Sequence, residues 1–82
     1  MNRKNQATLE KIKEKPERSD LVWRDIERLF VALGGEVSEE NGSRVRVYLH
    51  GVRAVFHRPH PQKEKDKGVV KSVRRFLESA GV

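Results

Sequence analysis

The chain of 82 residues contains no cysteine, which excludes a disulfide framework, a thiolate zinc site and a cysteine nucleophile. It has one tryptophan, one tyrosine and only 35% hydrophobic residues, so its core is thin and stability must come from close packing or association. No apolar run approaches the roughly 18 residues of a membrane span. The opening Met1-Asn2-Arg3-Lys4-Asn5-Gln6 lacks the apolar stretch of a signal peptide, and a cytoplasmic protein with no membrane partner is expected. A phosphate-cradling glycine loop, an acid–base carboxylate pair and a nucleophile elbow around any serine are all missing. Nucleotide-dependent and serine-hydrolase chemistry therefore drop out, and no cofactor is expected. His57 and His60 have a ligand-like spacing, but prolines interrupt the segment and no cysteine or helix-borne carboxylate completes a set, so no metal site is expected.

Charge is what the chain has in excess. Charged residues make up 37% and the net charge is +6, unevenly distributed. Residues 1–41 hold eight Lys/Arg against nine Asp/Glu, whereas residues 42–82 hold ten against three. All three histidines, His50, His57 and His60, fall in the second part. A basic half carrying the only side chains that titrate near neutrality points to phosphate binding or phosphate chemistry. A solvated basic surface is the plain alternative.

Residues 1–18 are polar, with Leu9 and Ile12 the only strong apolar anchors, and read as an arm with a short helix over 7–14 that is marginal in isolation. After Ser19 or Asp20, either of which suits a helix cap, Val22, Ile26, Leu29, Phe30 and Leu33 recur at offsets 0, 4, 7, 8 and 11. That is one face of a helix, and Gly34-Gly35 stops it. Trp23 reads as a core or interface anchor. Glu36–Glu39 reads as a short strand closed by the turn Asn41-Gly42-Ser43. Val45, Val47 and Leu49 then alternate with Arg44, Arg46 and Tyr48, the period of a half-buried strand. With His50-Gly51 as a two-residue turn, Leu49 faces Val52, Val47 faces Ala54 and Val45 faces Phe56. All six apolar side chains then share one side. The other side pairs Arg44 with His57, Arg46 with Val55 and Tyr48 with Arg53. Pro59 and Pro61 end the sheet. Val69, Val73, Phe76, Leu77 and Ala80 repeat the first helix's offsets, with Lys67, Lys71, Arg74 and Arg75 as a basic stripe. The order predicts an α+β two-layer sandwich, α-β-β-β-α, with both helices on one side of a three-stranded antiparallel sheet.

The uncovered sheet side would gather Arg44, Arg46, Tyr48, Arg53 and His57, with His60 at its edge. Arginine forks match phosphate oxygens and an aromatic ring offers a stacking surface for a splayed base, so single-stranded RNA is the favoured ligand. An acidic protein would suit the same surface. Histidine among arginines also meets the needs of RNA cleavage: a base for the 2′-hydroxyl proton and cations for the pentavalent phosphate. His57 is the candidate base, the alternative being a histidine that only pairs across the strand. His50 reads as a turn residue, tolerant of positive φ. A DNA-binding accessory is less favoured, since neither helix is followed by the short turn and second helix of a groove reader.

Asn41-Gly42-Ser43 with the strand Arg44–Leu49, then Pro59-His60-Pro61-Gln62-Lys63, then Gly68-Val69-Val70-Lys71-Ser72-Val73 and the closing Ala80-Gly81-Val82 resemble the HicA family of toxins of HicA–HicB toxin–antitoxin pairs. The resemblance covers about Val22 to Val82. It implies a double-stranded-RNA-binding-like fold, an mRNA interferase that cleaves without metal, and a HicB-like antitoxin that covers the toxin's active side. Residues 19–82 would form the HicA-like domain and residues 1–18 an addition to it. The family's catalytic histidine follows the Gly-Ser turn, where this chain has Arg44 and Val45. Either His57, across the hairpin from Arg44, takes that role as an endoribonuclease base, or the protein binds RNA and its antitoxin without cleavage, as a non-catalytic RNA-binding or protein-interaction module. On the cleaving reading Arg44 and His57 are catalytic, and Arg44, Arg46, Tyr48, Arg53, Arg58, His60, Lys63 and Lys71 bind the mRNA.

Overall fold

The computed structural model describes residues 1–15, 21–58 and 67–82. Helices α1 (Arg3–Lys13) and α2 (Trp23–Ala32) precede strands β1 (Glu36–Glu39), β2 (Arg44–Leu49) and β3 (Val52–His57), and helix α3 (Lys67–Ser79) closes the chain. The strands form one antiparallel sheet in the order β1-β2-β3. The α+β architecture is the expected one, consistent with the double-stranded-RNA-binding-like fold. The hairpin register agrees pair for pair: Val45 faces Phe56, Val47 faces Ala54 and Leu49 faces Val52. A shift of one residue would turn this apolar set out to solvent. β1 extends the ladder, with Val37 opposite Val47 and Glu36 opposite Tyr48.

α2 packs over β1 and α3 over β3. The two helices meet through aromatic rings that converge on Phe56. Phe30 stacks on Phe56 at 5.8 Å, Phe76 approaches it edge-on at 5.7 Å, and Trp23 tilts against it at 5.9 Å. Trp23 is thus the half-buried anchor its position suggests. Both helices end alike. Gly34 and Gly81 take positive φ, and the N–H groups of Gly35 and Val82 reach back to the carbonyls of Phe30 and Leu77, a paired turn that satisfies the last carbonyls of each helix. Gly35 must also be small, because a Cβ there would lie 2.9 Å from the Phe30 carbonyl oxygen.

Four local expectations are corrected. Ser19 and Asp20, the expected caps, lie outside the described residues, and the residue at the N-cap of α2 is Val22, with no side-chain hydrogen bond. Val22 was expected on the apolar side but is exposed, while Leu21 is buried with Ile26 in the core. That is the placement of an apolar residue before the cap packing on the first turn. Within the stretch read as an arm, helix α1 runs over Arg3–Lys13, longer than the expected helix over 7–14, and is docked on α2 and α3. Asn2 caps α1 by accepting from the Asn5 N–H at 2.8 Å, and Leu9 and Ile12 enter the core. α1 touches both α2 and α3. Finally, Arg74 does not belong to a solvent stripe. It is buried, and its Nε and Nη2 donate to the carbonyls of Ile12 at 3.0 Å and Glu14 at 2.9 Å. A cation on the negative end of α1 satisfies carbonyls that the helix leaves open. An isolated helix of this length is marginal in water, and this contact with the burial of Ile12 supplies what its own sequence lacks.

Candidate nucleic-acid interface

Pleating sends alternate residues to opposite sides of the sheet, and with the helices on one side the other stays open. Its exposed residues lie in three rows: Glu36, Tyr48 and Arg53; Ser38, Arg46 and Val55; and Arg44 beside His57. The five residues expected to cluster here, Arg44, Arg46, Tyr48, Arg53 and His57, are brought together. Arg53 lays its guanidinium over the Tyr48 ring, 5.4 Å from the centroid, a cation–π contact that keeps both groups at the surface. A depression of about 440 Å³ runs along this pair between Glu36, Ser38 and Arg46.

The face is less uniformly basic than charge counting implies, because β1 and the residue after it contribute acids to it. Arg46 Nη2 donates to Glu40 Oε2 at 3.0 Å, and Glu36 stands beside Tyr48. Arg44 and His57 have no side-chain hydrogen bond or ion pair among the described residues, and both are exposed. They form the part of the face with donors to spare.

Other expected RNA-binding residues lie elsewhere. Arg58 follows His57 and so turns to the helix side. Its Nε donates to Glu27 of α2 at 3.1 Å and its Nη2 to Glu39 of β1 at 2.7 Å. These hydrogen bonds, Glu27 first, hold its guanidinium above its ordinary pKa. It fastens β3 to α2 and β1. Lys71 is exposed on α3, in the layer that the sheet separates from Arg44. His60 and Lys63 lie outside the described residues, as does the Pro59-His60-Pro61 rim. Among the described residues no group of three or more His, Cys, Asp or Glu side chains converges, and no helix is long and apolar enough to cross a membrane.

His50 does more than turn the chain. It occupies the left-handed region at φ 49° next to Gly51 at φ 82°, the backbone of a tight two-residue hairpin turn. Its ring bridges two helix ends, with Nδ1 2.8 Å from the Ala80 carbonyl oxygen and Nε2 3.3 Å from that of Leu33. Leu33 and Ala80 are the residues at which α2 and α3 stop. The signal was present in the sequence: both helices carry the same offsets and each repeat ends at one of these residues, just before a glycine. What was missing was that the hairpin tip lies between them.

The fold and this surface define a class: a small α+β domain that seals one sheet side with helices and presents an arginine-histidine-tyrosine face on the other. The model of the HicA toxin of bacterial toxin–antitoxin systems matches residues 23–82. The chain belongs to the HicA toxin family, which implies a toxin role and an antitoxin partner. α1 precedes the matched span. No match was found among curated proteins or among solved structures.

Proposed function

We propose that this protein binds mRNA across the open sheet face and cleaves it, with His57 as general base. The observation that carries the reading is the cross-strand pair Arg44 and His57, exposed together and without a side-chain hydrogen bond or ion pair among the described residues. A neutral imidazole nitrogen of His57 takes the proton of a ribose 2′-hydroxyl, and the 2′-oxygen attacks the adjacent phosphorus. As the O2′–P bond forms, the P–O5′ bond breaks, leaving a cyclic phosphate and a 5′-oxygen that takes a proton from water. Arg44 stabilises the charge on the phosphoryl oxygens. Tyr48, with Arg53 on its ring, offers a platform for a neighbouring base. No metal takes part in these steps. A HicB-like antitoxin neutralises the protein by covering the same face.

The test is incubation of the purified chain with single-stranded RNA in chelator, beside His57→Ala. Cleavage that tracks the wild type and falls by about 10²–10⁴-fold in the variant, the usual worth of a general base, supports the assignment. Equal cleavage by both overturns it. A second reading, binding without cleavage, is favoured by Arg44 at the position of the family's usual histidine and by the acids Glu36 and Glu40 beside the cations. It predicts RNA retention by a chain that leaves the RNA intact.

A further inference from the structure

α1 and α2 enclose a groove of about 560 Å³, floored in part by Val37 of β1. This volume lies in the range of small-ligand and peptide-anchor pockets. Lys4 of α1 and Arg24 and Arg28 of α2 stand around it. Arg24 and Arg28 are four residues apart and so neighbours on one side of the helix. Both are exposed, and neither has an ion pair among the described residues. The same side of α2 carries Val31, 60% exposed, and Ala32. An aliphatic floor ringed by cations thus lies in water.

We propose that this groove binds an acidic peptide segment of the antitoxin partner, carboxylates meeting Arg24, Arg28 and Lys4 and an aliphatic side chain resting on Val31, Ala32 and Val37. The inference rests on the antitoxin that the family implies and not on RNA cleavage. Charge complementarity selects the occupant. A nucleic acid would match the cations but not the floor, which has no aromatic ring for a base to stack on. Two carboxylates also stand at this site: Asp25, 3.5 Å from Lys4, and Glu27, whose oxygens Arg58 holds. α1 lies before the matched family span, so one wall of the groove, with Lys4, comes from outside that span while α2 and Val37 form the rest. The groove would let the toxin distinguish its own antitoxin from one that only covers the sheet face, by adding a contact that a domain without α1 cannot make.

The experiment is amide chemical-shift mapping on the full isotope-labelled chain with three probes. These are a short synthetic peptide of glutamates flanking a leucine pair, the same peptide with serines for leucines, and a single-stranded oligoribonucleotide. The leucine peptide should shift Lys4, Arg28, Val31 and Val37 and leave Arg44 and His57 in place. The double variant Arg24→Glu/Arg28→Glu, at exposed positions, should keep the spectrum of the folded chain and weaken that peptide by about tenfold or more. Equal binding of the serine peptide, peptide shifts confined to the sheet face, or unchanged affinity in the double variant would each overturn the proposal. So would an oligoribonucleotide that occupies the groove more tightly than the peptide. RNA that shifts only the sheet face supports both readings. RNA that shifts neither site, with the peptide still in the groove, removes the RNA reading alone.

Discussion

The β2–β3 hairpin carries a histidine near each end, and the two have opposite surroundings. His50 at the tip is clamped between the last carbonyls of two helices; His57 at the open end makes no side-chain hydrogen bond or ion pair among the described residues. A ring whose nitrogens both face carbonyl oxygens is committed to structure. A neutral imidazole has one N–H and can donate to one of them, and only the imidazolium donates to both. His57 has nitrogens to offer a substrate. The difference between the two lies in the neighbours that the topology delivers. The C-terminal ends of two helices converge on the tip and engage the His50 ring, whereas at the far end, among the described residues, neither Arg44 nor His57 has a side-chain hydrogen bond to a helix.

Two adjacent residues give the strongest test of this contrast, because pleating sends them to opposite sides of the sheet. Phe56→Ala removes the ring on which Phe30, Trp23 and Phe76 converge and should cost about 3–5 kcal/mol of stability, read by denaturant or thermal unfolding. That is a large share of what a domain of this size commonly has. His57→Ala should leave the unfolding midpoint in place and lower RNA cleavage by about 10²–10⁴-fold. A His57 variant that unfolds as readily as the Phe56 variant would break the division between a sealed and a working side.

At the tip the order reverses. His50→Asn keeps a residue that tolerates positive φ but is too short to bridge two helix ends, so it isolates the clasp from backbone strain. A loss of about 1–2 kcal/mol is expected, a fall of several degrees in the unfolding midpoint, with cleavage per folded molecule unchanged. Loss of cleavage without loss of stability would mean that the two histidines have been assigned the wrong way round.

The sequence carried the sheet almost completely, because alternation and a two-residue turn leave one register that buries Val45, Val47, Leu49 and Phe56 together. It carried α2 and α3 through their shared offsets. The docking of α1 was not legible, since the helix is weak alone and its attachment depends on Arg74, which contacts it from about 60 residues away in sequence. A buried arginine bonded to backbone carbonyls looks, in a sequence, like any other member of a basic helix stripe. The open face was legible in membership but not in charge. Period-two patterning assigns Arg44, Arg46, Tyr48 and His57 to one side, yet Glu40 reaches Arg46 from beyond β1, where no alternation reports it. The α1–α2 groove was invisible for the same reason as α1 itself.

Arg58 is where counting basic residues and following the pleat give opposite answers, and it supplies the subtlest test. Its side chain joins Glu27 and Glu39 on the helix side, one residue beyond His57. Because its hydrogen bonds to Glu27 and Glu39 raise its folded pKa above the ordinary guanidinium value, its contribution is present at all pH values below the unfolded pKa. It is lost only as pH rises through the folded one, so the guanidinium itself brings no pH dependence near neutrality. Arg58→Lys keeps the charge but replaces a planar fork by a single ammonium, which cannot keep the same paired geometry toward two carboxylates. A small drop in the unfolding midpoint is expected, shrinking as salt screens these partly exposed partners. RNA affinity should not change, whereas Arg44→Ala should weaken it and flatten its salt dependence by about one counterion. If Arg58→Lys weakened RNA binding as much as Arg44→Ala, the working surface would have to extend around the edge of β3 onto the helix side, and the contrast between the two ends of the hairpin would give way to a continuous basic rim.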